Sequence, residues 1–324
     1  MVLNILLKDI EVDTVIMPYT NDGLKLLARL ESHSNDEFLQ EFYTDPIAWF
    51  LSKGVHRILL IGSEEITEEK NDSLDNQYQY IENEDIHVEQ RSILKIDYMG
   101  ETEIAYLKRK TQVSYRDFYW EFHFENLRLK PSKVNLYVQI VEDFKQKKCL
   151  TLEQIFKSKL LLDDLRKQIK IAFPSGNALN RTSVVLLHGP TVPSMAILCN
   201  LCHCKCLKHY MGCLFSRNYT ILTGDIELKN GEQLEMLNQY DECHTLLLQY
   251  PHHGSGNNNI QYFVDLGAKV NVLSYGIINR HGHPHDKVLQ QLPNIIFVNE
   301  RESLDYQIMI KDLEDANIYA KESK

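Results

Sequence analysis

The chain has 324 residues, enough for one large domain or for a domain that carries an insertion. Hydrophobic residues make up 44% and charged residues 25%, which is typical of a globular chain and does not favour disorder. No apolar run reaches the roughly 18 residues that a membrane span needs. The formal net charge of −10 argues against a broad electrostatic hold on phosphate backbones, although a local groove can still bind nucleic acid.

The amino-terminal part predicts strands that alternate with helices. Val12–Met17 has the apolar character of a buried strand, and a helix is predicted to begin at Pro46 with Asp45 as its N-cap. Gly54 stands just beyond the predicted end of this helix, and the continuous apolar run Val55–Ile61 predicts a second buried strand. This order indicates an α/β unit.

The middle of the chain, from about residue 92 to residue 144, is rich in alternating aromatic and apolar residues. The segments Ile93–Ile96, Phe118–Phe124 and Val134–Val138 each alternate in this way. We predict that they form antiparallel strands with one buried face. A helix is predicted to follow over Leu152–Ile171.

The last third predicts a regular succession of strands, with a helix around Leu234 and Leu237 between the second strand and the third. The predicted strands are Ser183–Leu187, Tyr219–Leu222, Thr245–Tyr250, Val270–Tyr275 and Ile295–Val298. The second, third and fourth of them each run into a polar loop. Because α/β scaffolds hold chemistry on loops at strand ends, we expect a functional site there.

Three groups of metal-ligating residue types stand in these loops. Asp225 follows a buried strand, where a carboxylate is costly unless it is paired or metal-bound, although an Asx-turn or a helix cap explains it equally well. His252 and His253 share a tight His-His-Gly-Ser turn, for which a structural hydrogen-bonded pair is the alternative. His281, His283 and His285 alternate in the third loop. Imidazole nitrogen and carboxylate oxygen suit zinc, manganese or iron, so the three groups together predict a metal site.

The order of four motifs resembles that of the metallo-β-lactamase superfamily. They are Asn180-x-x-Ser183-Val-Val-Leu, Thr223-Gly-Asp225, Pro251-His-His-Gly-Ser255, and Ser274-Tyr-Gly-x-x-Asn279 through Gly282-His-Pro284. The branch that they resemble most is the hydrolase domain of bacterial DNA-uptake (competence) channel proteins of the ComEC type. The likeness covers residues 177–310, while residues 1–62 fit by pattern alone.

The resemblance implies an α/β (α+β) fold, the metallo-β-lactamase αββα sandwich, as a single domain over residues 1–324. Residues 1–62 are then the remnant of an N-terminally truncated first half, and residues 63–150 an inserted antiparallel region. Residues 151–324 form the second half, which carries the metal-site motifs. Without a secretory signal at the amino terminus, we expect a cytoplasmic protein that does not enter a membrane.

The resemblance also implies roles for individual residues. Asp225 is expected to bridge metal ions, His253 to ligate, and His252 to ligate or to support a ligand. His283 is expected to be catalytic, in contact with the substrate or the transition state. The residues expected to support the ligands or to contact the substrate are Asn180, which stands where many relatives have a histidine ligand, Ser183, Ser255 and Asn279.

The implied activity is metal-dependent hydrolysis, with a phosphodiester such as nucleic acid as the expected substrate and with one or two zinc or manganese ions as cofactor. Such ions lower the pKa of a bound water and polarise the phosphoryl oxygen. A small-molecule phosphoester, lactone or amide is an alternative substrate. The alternative from another class is a catalytically inactive interaction subunit with the same fold.

One element of the family pattern, the first metal motif His-x-His-x-Asp-His, is absent from this sequence. Asp225 with one or two histidines is too small a ligand set for tight metal binding. Three explanations stay open: a truncated gene product, a split enzyme whose partner polypeptide supplies the motif, or a degenerate member that binds a ligand or a protein without turnover.

A cysteine cluster occupies residues 199–213, where five of the seven cysteines of the chain lie. Cys-x-x-Cys is a common zinc half-site, so Cys199, Cys202, Cys206 and Cys213 are candidates for a structural zinc site. Packed free thiols are the alternative in a reducing compartment, and redox chemistry is a third option.

Overall fold

The computed structural model describes residues 10–20, 25, 28, 42–63, 86–115, 119–126, 131–151, 154–155, 158–172, 183–201, 207–211, 217–229, 232–234, 236, 244–278 and 282–310. The chain divides into two compact units. The first comprises Met1–Ser63, Leu94–Leu107 and Leu127–Thr182, and the second comprises Glu64–Ile93, Lys108–Asn126 and Ser183–Lys324. In the described part of the chain, no helix has the length and apolar character that crossing a membrane requires.

The strands, in chain order, are β1 (Thr14–Pro18), β2 (Arg57–Ile61), β3 (Ile86–Val88), β4 (Ile93–Met99), β5 (Thr102–Leu107), β6 (Lys110–Tyr115), β7 (Trp120–Asn126), β8 (Val184–Pro190), β9 (Ser194–Leu201), β10 (Leu207–Met211), β11 (Asn218–Leu222), β12 (His244–Gln249), β13 (Val270–Ser274), β14 (Ile295–Val298) and β15 (Ser303–Ile310). The helices are α1 (Pro46–Leu51), α2 (Pro131–Lys148), α3 (Lys159–Ala172), α4 (Ile260–Asp265) and α5 (Asp286–Gln291).

The first unit contains a four-stranded sheet in the order β1-β2-β5-β4, in which β1, β2 and β5 run parallel. Every residue of β2 is buried, as expected for a central parallel strand that reads as one continuous apolar run. The predicted start of α1 is confirmed, because the Asp45 side chain accepts a hydrogen bond of 3.0 Å from the Ala48 N–H and Pro46 occupies the first turn.

Helices α2 and α3 pack on each other in the same unit, and this pairing overturns one prediction. Tyr137, Val141 and Phe144 of α2 form a buried cluster with Leu162 and Leu165 of α3. The predicted strand over residues 134–138 is therefore wrong, because these residues belong to α2. The helix predicted over residues 152–171 is confirmed from residue 159 onward.

The second unit contains an eight-stranded sheet in the order β14-β13-β12-β11-β8-β7-β6-β3. The strands from β14 to β11 run parallel, and each later pair is antiparallel, so β11 is the point at which the direction of pairing changes. A three-stranded antiparallel sheet, β10-β9-β15, belongs to the same unit. Its Leu304 and Ile308 pack against Val270, Val272 and Ile296.

The mixed sheets with few helices are compatible with an α+β fold. The five strands predicted for the last third are confirmed as β8, β11, β12, β13 and β14. The expected antiparallel pairing holds for β3, β6 and β7, whereas β5 lies parallel to β2. The predicted helix around Leu234 is wrong at that residue, where the backbone is irregular and the Leu234 N–H donates to the Tyr262 hydroxyl at 3.0 Å; Leu237 lies outside the described residues.

Candidate functional site

The three polar loops singled out from the sequence emerge at one edge of the eight-stranded sheet. They follow β11, β12 and β13, which run parallel, so the carboxyl ends of these strands lie side by side. Asp225 stands in the loop after β11, and a short 3-10 turn, His252–Gly254, follows β12. The loop after β13 begins at Tyr275 and leads to His283. The sheet topology therefore brings the predicted residues together.

Hydrogen bonds between backbones fix these loops to one another. The N–H of His252 donates to the carbonyl of Gly224 at 3.0 Å, and the N–H of His285 donates to the carbonyl of Gly254 at 2.9 Å. Ser183 borders the first loop, since a Cβ built on Gly224 would lie 3.7 Å from the Ser183 Cβ. The relative placement of the loops is thus set by backbone groups.

His253 and Asp225 form the central pair of the candidate site. The Nε2 atom of His253 lies 3.5 Å from Oδ1 of Asp225, with 54% and 49% of the respective side chains exposed. On the other side of the ring, Nδ1 lies 2.7 Å from the carbonyl oxygen of Ser274. The imidazole is therefore held between a backbone acceptor and a carboxylate that solvent can reach.

This arrangement determines where the ring proton lies. A carbonyl oxygen only accepts, so Nδ1 of His253 must carry a hydrogen and donate it to Ser274. In the neutral ring Nε2 then presents a lone pair towards the Asp225 carboxylate, so the two atoms are placed as a pair of acceptors that a cation between them could join. Metal-ligating histidines are typically oriented in this way, with the second ring nitrogen donating to a carbonyl.

The turn that carries the two histidines has an unusual backbone. His252, His253 and Gly254 have φ angles of 50°, 54° and 86°, which is the left-handed region. A non-glycine residue adopts this region at a cost, and such residues cluster at functional sites. The turn places the His252 ring 6.4 Å from the His253 ring and 5.4 Å from the His283 ring, measured between centroids. Three imidazoles consequently line the same edge.

The other predicted residues are placed in different ways. Ser255 is buried directly after the turn, and its hydroxyl accepts from the Asn257 N–H at 3.3 Å, which is a local structural role. Asn180, Asn279 and His281 lie outside the described residues. So do Cys202, Cys206 and Cys213, whereas Cys199 belongs to β9.

The described residues supply only a few potential metal ligands at this site. Among the residues whose side chains the structure describes, no group of three or more His, Cys, Asp and Glu is placed to hold a metal ion. The His253 and Asp225 pair supplies two donors of suitable chemistry, one imidazole nitrogen and one carboxylate oxygen. The donor types fit a divalent ion, and two donors are fewer than a coordination shell needs.

Two groups at the site were not found from the sequence. The Ser274 carbonyl orients His253, and no sequence signal marks a backbone acceptor. Glu300 anchors the loop after β13, because its Oε2 accepts from the Ile277 N–H at 2.8 Å. Hydrogen bonds from the N–H groups of Ile277 and of Glu300 itself lower the pKa of this carboxyl, which therefore stays ionised as an anchor.

A search of curated proteins finds one partial similarity. A segment of 73 residues, 22% of this chain, is 44% identical to ComE operon protein 3 of Bacillus subtilis (strain 168). The matched segment spans 9% of the length of that protein. No family model matches the chain. No solved structure matches it either. The similarity is consistent with the ComEC-type link that the sequence motifs indicate.

Proposed function

We propose that this chain is a metal-dependent hydrolase of the metallo-β-lactamase type, or the larger part of one, that acts on a phosphodiester such as nucleic acid. The observation that carries the proposal is the orientation of His253, whose Nδ1 is fixed by the Ser274 carbonyl while its Nε2 faces Asp225. The resemblance of the ordered motifs to the hydrolase domain of DNA-uptake proteins supports the choice of substrate class.

The fold is compatible with this proposal. The parallel strands β11 to β14, with α4 and α5 on their connections, fit the second half of an αββα sandwich. Loops at the carboxyl ends of parallel strands are the usual place for a catalytic site in such folds. We therefore assign the sandwich as the proposed architecture of the catalytic part.

Asp225 and His253 would hold a divalent ion, zinc or manganese, between the carboxylate oxygen and Nε2. When bound, such an ion supplies a water of lowered pKa and polarises the phosphoryl oxygen. The Ser274 carbonyl keeps the His253 ring in the ligating tautomer. His283, whose ring lies beside that of His252, would donate a proton or a hydrogen bond to the leaving oxygen of the phosphodiester.

We infer that further ligands come from the His-x-His-x-Asp-His element that the family uses, whatever its origin. A polypeptide that carries this element can be supplied separately to test the inference. Co-expression of the chain with such a polypeptide, followed by co-purification and a manganese count, examines this part of the proposal directly. A manganese count that the second polypeptide does not raise would argue against it.

The central experiment measures manganese-dependent cleavage of a single-stranded DNA oligonucleotide. Asp225→Ala and His253→Ala are each expected to reduce cleavage by more than about 100-fold, because each removes a ligand. His56→Ala is the matched control, since His56 lies 3.3 Å from Asp13 in a histidine–carboxylate pair of similar exposure. Cleavage that survives in both site variants, or that falls equally in the control, rules out the assignment.

The same assay separates the alternatives. An absence of cleavage with added metal, together with partner binding that Asp225→Ala leaves intact, would favour the inactive interaction subunit. Hydrolysis of a small phosphoester, lactone or amide in preference to DNA, still lost in Asp225→Ala, would keep the mechanism and change the substrate.

A further inference from the structure

Thr223 stands between strand β11 and Asp225, and its side chain is tied to the neighbouring strand. The residue is fully buried, and its hydroxyl donates a hydrogen bond of 2.6 Å to the backbone carbonyl of Gln249, the last residue of β12. Strands β11 and β12 are parallel neighbours. This bond therefore joins the two carboxyl ends from which the Asp225 loop and the histidine turn emerge.

The same residue begins the turn that carries Asp225. The N–H of Ile226 donates to the carbonyl of Thr223 at 3.3 Å, which closes a four-residue turn with Asp225 in its third position. Gly224, in the second position, has a φ angle of 55°, and its carbonyl accepts from the His252 N–H. Ile226 is fully buried on the other side of Asp225. The backbone of Asp225 is thus held on both sides, while 49% of its side chain stays exposed.

The position of this turn determines the distance between Asp225 and His253. The His253 ring is fixed separately, because its Nδ1 donates to the Ser274 carbonyl at 2.7 Å. A shift of the turn relative to β12 therefore moves the carboxylate against a ring that stays in place. Two ligand atoms that are each about 2.1 Å from one tetrahedral ion lie about 3.4 Å from each other. The separation of 3.5 Å between Nε2 of His253 and Oδ1 of Asp225 matches this value.

We propose that Thr223 is a positioning residue, whose hydroxyl holds the Asp225 carboxylate at the distance from His253 that a shared divalent ion requires. The inference rests on the proposed function, since it takes Asp225 and His253 as the ligand pair. Valine keeps the shape of threonine but has no hydrogen to donate, so the Gln249 carbonyl loses this donor. Replacing a group that orients a ligand typically costs about 10- to 100-fold in metal affinity. We expect the lower end of this range, because the backbone bond to Gly224 remains.

The first test measures the Kd for manganese by isothermal titration calorimetry in the full-length chain. Manganese is the probe because thiolates favour softer ions. Thr223→Val is expected to raise the Kd about tenfold. Thr223→Ala, which removes the hydroxyl without putting a methyl group in its place, should raise it equally. Thr223→Ser keeps the hydroxyl and should restore the wild-type Kd.

Thr111→Val is the matched control. Thr111 is buried in β6, three strands from β11 in the same sheet, and its hydroxyl donates to the Lys108 carbonyl at 2.7 Å. The control removes a similar buried hydrogen bond, so its melting temperature should fall about as much as that of Thr223→Val. Its Kd for manganese should stay at the wild-type value, because Thr111 does not contact the Asp225 turn or β12.

A second measurement needs no metal and separates this inference from the proposed function. In ¹⁵N-labelled, metal-free protein, Asp225→Asn removes a charge 3.5 Å from the His253 ring, so the ring resonances should shift. The same substitution should shift them less in the Thr223→Val background and fully in the Thr111→Val background. If the wild type binds no manganese but the resonances respond in this way, the metal assignment fails while the hold of Thr223 on the Asp225 and His253 pair stands. Equal resonance shifts in the wild-type and Thr223→Val backgrounds, or a Kd that rises as much in Thr223→Ser or Thr111→Val as in Thr223→Val, overturns the proposal.

Discussion

Gly254 and Pro284 lie so close together that a Cβ atom built on Gly254 would fall 2.6 Å from the Cβ of Pro284 and 3.0 Å from its Cα. Gly254 also has a φ angle of 86°. We expect Gly254→Ala to separate the loop that carries His283 from the histidine turn, to lower the free energy of unfolding by more than about 2 kcal/mol, and to abolish metal uptake at the site. Urea denaturation and manganese titration measure the two effects.

Gly267→Ala is the matched control for this substitution. Gly267 has a φ angle of 63°, so alanine suffers a similar backbone cost, yet nothing lies within 4 Å of a Cβ built there. The control should lose only about 1 to 2 kcal/mol and leave metal uptake unchanged. If the two variants behave alike, the close approach to Pro284 is not what positions the loop.

The tautomer of His253 gives a prediction that does not depend on catalysis. In a ¹⁵N-labelled protein at neutral pH, Nδ1 of His253 should carry the hydrogen and Nε2 should be the nitrogen whose resonance changes when zinc is added. His56, which faces Asp13 rather than a backbone carbonyl through Nδ1, serves as the reference ring. A spectrum in which Nε2 of neutral His253 carries the hydrogen would contradict the proposed ligand geometry.

Ile278 should affect substrate affinity. Its side chain is 93% exposed, and the adjacent Ile277 N–H is held by Glu300, in the loop that follows β13 directly after Ser274. If the loop covers part of a bound nucleic acid, Ile278→Ser should raise the KM about fivefold, which corresponds to about 1 kcal/mol of apolar contact, with kcat unchanged.

Ile171→Ser is the control for this experiment, because Ile171 is 80% exposed and belongs to α3 of the first unit. Neither variant should lower the melting temperature. An unchanged KM for Ile278→Ser would show that this part of the loop does not contribute to substrate binding.

His188 should make stability depend on pH. It is buried beside Phe122 and Trp120, and burial lowers its pKa from 6.5 to about 4. Between these values the unfolded chain binds a proton that the folded chain does not, so stability falls as the pH decreases from 6.5 towards 4, by up to about 1.4 kcal/mol per pH unit. Urea denaturation over this range should show a shallower decline in His188→Phe than in the wild type; parallel curves would exclude His188 as the cause.

The strands of the site and their loops could be predicted because their signals are local. Continuous apolar runs end in polar motifs at β11, β12 and β13, and a run of this kind has few other structures available. The family resemblance predicts that Asp225 and His253 lie close together. The rule that parallel strands present their carboxyl ends at one edge of a sheet predicts the same.

The wrong predictions concern segments whose secondary structure is determined by tertiary contacts. Residues 134–138 alternate like a strand, but Val134, Tyr137 and Val141 also recur at helical spacing after Pro131, and packing on α3 favours the helix. At Leu234 and Met236, the two described positions concerned, the backbone N–H groups are bonded by side chains from other elements and not by the carbonyl groups of a preceding α-helical turn. The N–H of Met236 donates to Glu125 at 2.8 Å and that of Leu234 to Tyr262 at 3.0 Å.

The geometry of the candidate site lies beyond what sequence alone can predict for a similar reason. The orientation of His253 depends on a carbonyl oxygen of β13, and the position of the histidine turn depends on left-handed backbone at two non-glycine residues. Neither is encoded by a residue type at a fixed spacing. In the sequence, only Gly254, which follows the two histidines, indicates an unusual turn.

Because β11 to β14 run parallel, the loops that follow these strands and the turns that precede them should differ in how well they tolerate substitutions and insertions. Substitutions in the loops at the carboxyl ends are expected to affect the proposed activity, while the turns that enter the strands lie at the other edge of the sheet. Gly267, in the turn before β13, borders open space. A fluorescent reporter or a short affinity sequence inserted at this turn would sit away from the histidine loops, which makes it an attachment point for following substrate encounter in the intact protein.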